Sequence, residues 1–141
     1  MAVDQTNKYL YVSTSGEIAG FNINPTTGQL TAVPGSPFAT DVTGPWAIVV
    51  TPNNSFLYMV QGQAQASSAG NVYGFSIDQG SGALAALPGS PFSGKCGTVI
   101  PTGTLGIPGP DNMTIASAGK FMYDNRGIAR RRPLFAVVPL V

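Results

Sequence analysis

Few residues in this chain could do chemistry, and their types narrow what that chemistry is. There is no histidine, and Cys96 is the one cysteine among 141 residues. An intrachain disulfide and a zinc site of ordinary composition are therefore excluded, and Cys96 reads as a free thiol in a loop. Six carboxylates remain: Asp4, Glu17, Asp41, Asp78, Asp111 and Asp124. Any of them could in principle act as a general base. Asp4 and Asp78, however, stand in turn sequences that suit an Asp side chain bonded to its own backbone, and Glu17 opens a strand. These three are expected to serve structure, while Asp41 and Asp124 have no identifiable partner. Trp46 and the pair Asp111-Asn112 stand apart because they follow Gly44-Pro45 and Gly109-Pro110. An aromatic there could stack on a sugar ring, and an Asp-Asn pair could bond hydroxyls. The competing structural readings are an apolar filler for Trp46 and a turn pair for Asp111-Asn112.

The elements that must position these residues come from an internal repeat. Residues 17 to 38, EIAGFNINPTTGQLTAVPGSPF, align without gaps on residues 71 to 92, NVYGFSIDQGSGALAALPGSPF, with 11 of 22 positions identical. A second element precedes each copy: Lys8-Tyr9-Leu10-Tyr11-Val12, then Ser55-Phe56-Leu57-Tyr58-Met59, then Lys120-Phe121-Met122-Tyr123. Its first spacing is 47 residues against 54 for the longer element, and the Ala-, Ser- and Gln-rich stretch from Gln61 to Ala69 absorbs the difference as a surface loop. Each unit resolves into four short β segments, placed in the second copy near Ala47 to Thr51, Phe56 to Val60, Val72 to Ile77 and Ala83 to Leu87. Pro52-Asn53-Asn54 and Asp78-Gln79-Gly80-Ser81-Gly82 supply the reversals between them. With 18 glycines and 12 prolines, the chain is punctuated too often for long helices.

Period two inside the strands puts Tyr9 and Tyr11 on one face and Leu10 and Val12 on the other. Strands apolar on both faces suit a sheet sandwiched between neighbours, and a period near 47 residues with four strands fits a propeller blade. The fold class expected is all-β: a partial β-propeller of about two four-stranded antiparallel blades plus the start of a third. The blades are placed near 2–38, 45–92 and 111–127, with 128–141 a divergent basic and apolar tail. The recurring Pro-Gly-Ser-Pro-Phe reads as a corner whose Phe38 and Phe92 plug the gap between blades.

Charge excludes some partners. Charged residues make up 9% of the chain and the net charge is +1, too little for a nucleic-acid footprint. Three lysines face six acids up to residue 125, whereas the last sixteen residues carry four arginines and no acid. That tail looks foreign to the rest, as a shifted reading frame, a truncation or a natural divergence would leave it. No apolar stretch approaches the length of a membrane helix, and the start lacks the features of a signal peptide. Asn53-Asn54-Ser55 and Asn112-Met113-Thr114 match the glycosylation pattern, a short motif read here as coincidence.

The Lys-Tyr-Leu-Tyr-Val segment, followed by Gly-Phe-Asn-Ile-Asn-Pro-Thr-Thr-Gly-Gln-Leu and Pro-Gly-Ser-Pro-Phe, resembles the repeats of lactonase-type seven-bladed propellers. These include 6-phosphogluconolactonase-like and YVTN-repeat proteins. The resemblance covers residues 2 to about 127. It implies a channel lined by the innermost strands, with ligands bound at its mouth, and there Trp46, Asp111 and Asn112 are the candidate ligand-binding residues. Enzymes of that family tend to carry Gly-Pro-Arg-His where the innermost strand opens onto the channel. This chain has Gly-Pro-Trp-Ala and Gly-Pro-Asp-Asn instead, so no catalytic residue carries over.

Two functions follow. One is a section of a lactonase-like protein whose whole hydrolyses a sugar lactone, with this chain alone inactive. The other is a non-catalytic extracytoplasmic propeller that binds a protein or carbohydrate, a location the charge-poor, Gly/Ser/Thr-rich composition mildly favours. Neither needs a cofactor or a metal. The expected partners are a small-molecule lactone or carbohydrate and further propeller blades or a second copy, with no nucleic acid and no membrane span.

Overall fold

Each unit folds as a sheet because short apolar segments alternate with sequences that reverse the chain. In the computed structural model the described residues are 1–42, 45–61, 72–91, 112–116, 121–125 and 135–139, with Trp46 and the last three segments described as backbone. They form three antiparallel sheets, and none of them is helical. The first sheet runs β1 (Ala2–Val3), β2 (Tyr9–Thr14), β3 (Glu17–Ile23) and β4 (Leu30–Ala32), and β5 (Phe38–Ala39) also pairs with β3. The second runs β6 (Pro45–Val50), β7 (Phe56–Gln61), β8 (Val72–Ile77) and β9 (Leu84–Ala86), close to the four segments expected from the sequence. The third runs β10 (Asn112–Ala116), β11 (Phe121–Asn125) and β12 (Phe135–Pro139).

The repeat is reproduced bond for bond at its turns. Asn7 and Asn54, 47 residues apart, both adopt left-handed backbone (φ 58° and 57°) and donate their N–H to the carbonyls of Asp4 (3.1 Å) and Thr51 (2.8 Å). Asn is among the residues that tolerate this conformation. In the longer element, 54 residues apart, Asn24 Oδ1 accepts the N–H of Thr26 and Thr27, and Asp78 Oδ1 accepts those of Gly80 and Ser81. Gly28 and Gly82 close these two turns at φ +72° and +77°.

The Pro-Gly-Ser-Pro corner interrupts the outermost strand. β4 pairs with Phe21 to Ile23 and β5 with Glu17 and Ile18, which leaves Gly20 between them without a strand partner for its N–H. Ser36 Oγ accepts that bond at 3.0 Å, and Ser90 Oγ accepts the equivalent bond from Gly74 at 3.1 Å. A buried backbone donor must be satisfied somewhere, and the corner serine does it. Phe38 lies over Gly20 and packs against the main core. Phe92 lies outside the described residues, as do Cys96, Asp111 and residues 62–69 of the stretch from Gln61 to Ala69 read as a surface loop; Gln61 itself is not in a loop but ends β7, paired with Pro45.

That core fills the space between the first two sheets. Tyr9, Tyr11, Ile18 and Val33 from the first meet Val50, Leu57, Met59, Phe75 and Ile77 from the second. On the opposite face of the second sheet, Tyr58, Val60 and Val72 form another buried cluster. The second sheet is therefore covered on both faces, as its apolar strands predict, and each large side chain so buried contributes about 1.5–3 kcal/mol. Phe135–Pro139 falls in the stretch read from the sequence as a divergent tail. It pairs along its whole length with β11, from Asn125↔Phe135 to Phe121↔Pro139. Five consecutive extended residues satisfy the open edge of β11, which supplies the physical reason for a strand there.

Candidate functional site

The innermost strands of the three sheets are β1, β6 and β10, and β6 has β1 and β10 as its neighbours. Ligands of propellers bind where such strands open onto the central channel. In β6, Pro45 faces Gln61 and Ala47 faces Val60, so Trp46 is an extra residue that bulges from the ladder at the very start of the strand. Asn112 begins β10, paired with Asn125. The register aligns Ala47 with Asn112, since each stands opposite the equivalent residue of the second strand. Two of the three residues singled out from the sequence thus stand at the starts of adjacent innermost strands. Asp111 precedes Asn112 directly but lies outside the described residues.

Sequence reasoning missed Gln61, which faces Pro45 beside the bulge and whose Oε1 accepts a bond from the Tyr73 hydroxyl at 3.4 Å. The available signal was a polar residue ending the apolar run Phe56 to Val60.

Of the three carboxylates read as structural, Glu17 opens β3 as expected, and Asp4 and Asp78 are held by their own turns. Asp4 is buried, and its Oδ1 accepts the N–H of Lys8 (2.7 Å) and Tyr9 (2.8 Å) while Oδ2 accepts from the N–H and hydroxyl of Thr6. Burial pushes its carboxyl up, but these hydrogen bonds outweigh it and hold the group below the usual carboxylate range. Asp78 is exposed, and its bonds from Ser81 and Gly80 lower its carboxyl in the same direction. A carboxylate stabilised in its charged form is a poor proton acceptor, so neither is suited to general-base work.

At the opposite end of the sheets, a cleft of about 420 Å³ opens between the Asp4–Lys8 turn and the start of the Asp78–Gly82 turn. Of its polar side chains, Lys8 reaches across the seam between the sheets and Gln79 ties two turns of the second sheet together. Lys8 Nζ lies 4.8 Å from the Tyr9 ring centroid and 3.4 Å from the Gly80 carbonyl, and Gln79 Nε2 donates to Asn53 and Ser55. Among the described residues, no group of three His, Cys, Asp or Glu side chains could hold a metal ion. No described helix is long and apolar enough to cross a membrane.

Comparison with known proteins agrees with the three-sheet architecture. No curated protein matches the chain. Among solved structures, it resembles a Bacteroides uniformis protein whose designation as a 6-phosphogluconolactonase is provisional, with a TM-score of 0.64 and 18% identity over 99% of this chain and 36% of that one. It also resembles hydrazine synthase of Kuenenia stuttgartiensis, with a TM-score of 0.52 and 15% identity over 89% of this chain and 36% of that one. At such identities these likenesses speak for the fold alone, and the chain spans about a third of either structure. A profile of the lactonase family of seven-bladed β-propellers matches residues 1–102, most of the sequence. The chain, with its repeated four-stranded sheets, belongs to the lactonase seven-bladed β-propeller family.

Proposed function

We infer that this chain is a three-sheet section of a lactonase-type propeller and that it contributes Trp46, Asp111 and Asn112 to a channel-mouth site for a hydroxylated ring, a sugar lactone or a free carbohydrate. The observation that carries this reading is the bulge at Trp46. It opens β6 next to the start of β10, and bulges recur beside binding sites because they re-aim a side chain out of the ladder. An indole beside an Asp-Asn pair offers a stacking face and hydrogen-bonding groups, which is the chemistry that sugar rings require.

Binding without turnover is the specific expectation for the isolated chain. Both Gly-Pro positions lack the Arg-His pair of the family's enzymes, the chain has no histidine, and Asp4 and Asp78 are committed to turns. Hydrolysis by a complete propeller would rest on residues of other sheets.

Trp46 is the sole tryptophan, so its fluorescence reports on this position directly. Titration with glucono-lactone is expected to give a saturable change that Asn112→Ala weakens, while a pH-stat assay of the same sample stays at background. A flat titration, confirmed by calorimetry, defeats the site. Saturable turnover abolished by Asp111→Asn defeats the non-catalytic reading and makes Asp111 the base.

A further inference from the structure

The first two sheets repeat what a blade needs: a left-handed Asn at the first reversal, a side-chain cap at the second and a corner serine that completes the ladder. They part at the channel-mouth end. Thr14 ends β2 where Gln61 ends β7, and Ala19 stands opposite Val12 where Tyr73 stands opposite Met59. In the second sheet these two positions are joined, the Tyr73 hydroxyl donating to Gln61 Oε1 at 3.4 Å. An alanine at the first sheet's position cannot make that bond. A pair that one copy does without is not a requirement of the blade, so its reason lies in what the second sheet alone has.

The bulge is what it has. Pro45 pairs with Gln61 and Ala47 with Val60, which makes Gln61 the residue that the bulge spans. The start of β6 is weakly tied by its backbone, because a proline brings no N–H to the ladder and the extra residue of a bulge is left unpaired. Side chains must then hold it in one geometry. Gln61 lies two residues beyond Met59 in β7, and Met59 faces Tyr73, so all three share the face turned to the first sheet. Met59 is buried in the core between the sheets, and the Tyr73 ring packs against that core. The ring is therefore fixed at one end by packing, while its hydroxyl reaches the partner of the bulge at the other.

We propose that Tyr73 is a positioning residue of the channel-mouth site: its hydroxyl, acting through Gln61, fixes the bulge in β6 and with it the direction of Trp46. The consequence for ligand rests on the channel-mouth reading, whereas the hold on Trp46 does not. A stacking face is useful only when its direction is set before the ring arrives, since ordering it on binding costs affinity. The second sheet thus carries a hydroxyl-to-amide brace where the first has a threonine and an alanine.

The sole tryptophan makes this measurable in the full chain, with selective excitation reading the bulge before any ligand is added. Tyr73→Phe keeps the ring and removes the hydroxyl, Gln61→Leu removes the acceptor, and Gln61→Glu keeps one. The first two are expected to change acrylamide quenching of Trp46 and lower its anisotropy, and to raise the Kd for glucono-lactone about two- to tenfold, the worth of one hydrogen bond. Combined, they should do no more than either alone, because both cut the same contact. Gln61→Glu should stay near the wild type. A bond of merely structural value would move the urea midpoint and leave the Trp46 signals of the folded chain alone. Unchanged quenching and anisotropy in Tyr73→Phe, additive effects in the double variant, or a Gln61→Glu chain that behaves like Gln61→Leu would each overturn the proposal. A wild type that does not bind glucono-lactone, while Trp46 still loosens in both variants, defeats the channel-mouth reading and upholds the brace.

Discussion

Gly82 and Gly28 occupy the same turn position 54 residues apart, with nearly the same backbone conformation, φ +77° and +72°. Only one of them is packed. A Cβ at Gly82 would stand 2.5 Å from Cδ1 and Cε1 of Tyr9 and 3.0 Å from Cγ1 of Val33, whereas a Cβ at Gly28 meets nothing within 4 Å. Substitution by alanine therefore carries a common cost and a private one. The common cost is that of an L residue in the left-handed region, about 1–2 kcal/mol. The private cost of Gly82→Ala is overpacking against Tyr9 and Val33, which are both buried and cannot move into solvent, a further ~1–3 kcal/mol. Gly82→Ala is thus expected to lose about 2–5 kcal/mol and Gly28→Ala about 1–2 kcal/mol. Urea unfolding followed by circular dichroism measures both, at a protein concentration where the chain is monomeric. Their difference isolates the fit between the two sheets from turn strain. A difference below about 0.5 kcal/mol would refute the claim that the tyrosine-against-turn contact joins them.

Three further outcomes are expected. The Tyr11 phenol is pushed up by burial and by the neighbouring Tyr9 and Asp4. Its contribution to stability is therefore complete below the unfolded-chain value near pH 10 and is lost as pH rises through the higher folded value, so the alkaline fall in urea midpoint should flatten in Tyr11→Phe; equal slopes would contradict this. Ser36→Ala leaves the Gly20 N–H unbonded and is expected to cost about 1–2 kcal/mol and to speed hydrogen exchange of that amide, and unchanged protection would refute the role given to the corner serine. Removing residues 128–141 takes β12 from the third sheet and leaves a two-stranded ribbon of marginal stability, so a loss of about 1 kcal/mol or more is expected. A smaller change would place the segment outside the packing, as its composition suggests.

The repeat, the strands and the turns are legible in the sequence alone, because short-range chemistry sets them. Asn7 and Asn54 mark the first reversal, Asn24 and Asp78 cap the second with side-chain oxygens, and period-two apolar patterning places Tyr9 and Tyr11 together on one face. All of these act over a few residues. For the same reason Asp4 and Asp78 could be read as turn residues before any contact was known.

What those faces meet depends on the packing of whole sheets. Tyr11 bonds to Gly82 across 71 residues of chain, Ser36 completes the ladder at Gly20 where a corner breaks the outer strand, and Phe135–Pro139 pairs with β11 despite an unrelated composition. The bulge that sets Trp46 apart exists only in the register of β6 against β7. None of these follows from local pattern. A strand's sequence fixes which side chains share a face, but the partner of that face is chosen by how whole sheets stack, and the free energy of stacking is spread over residues far apart in the chain.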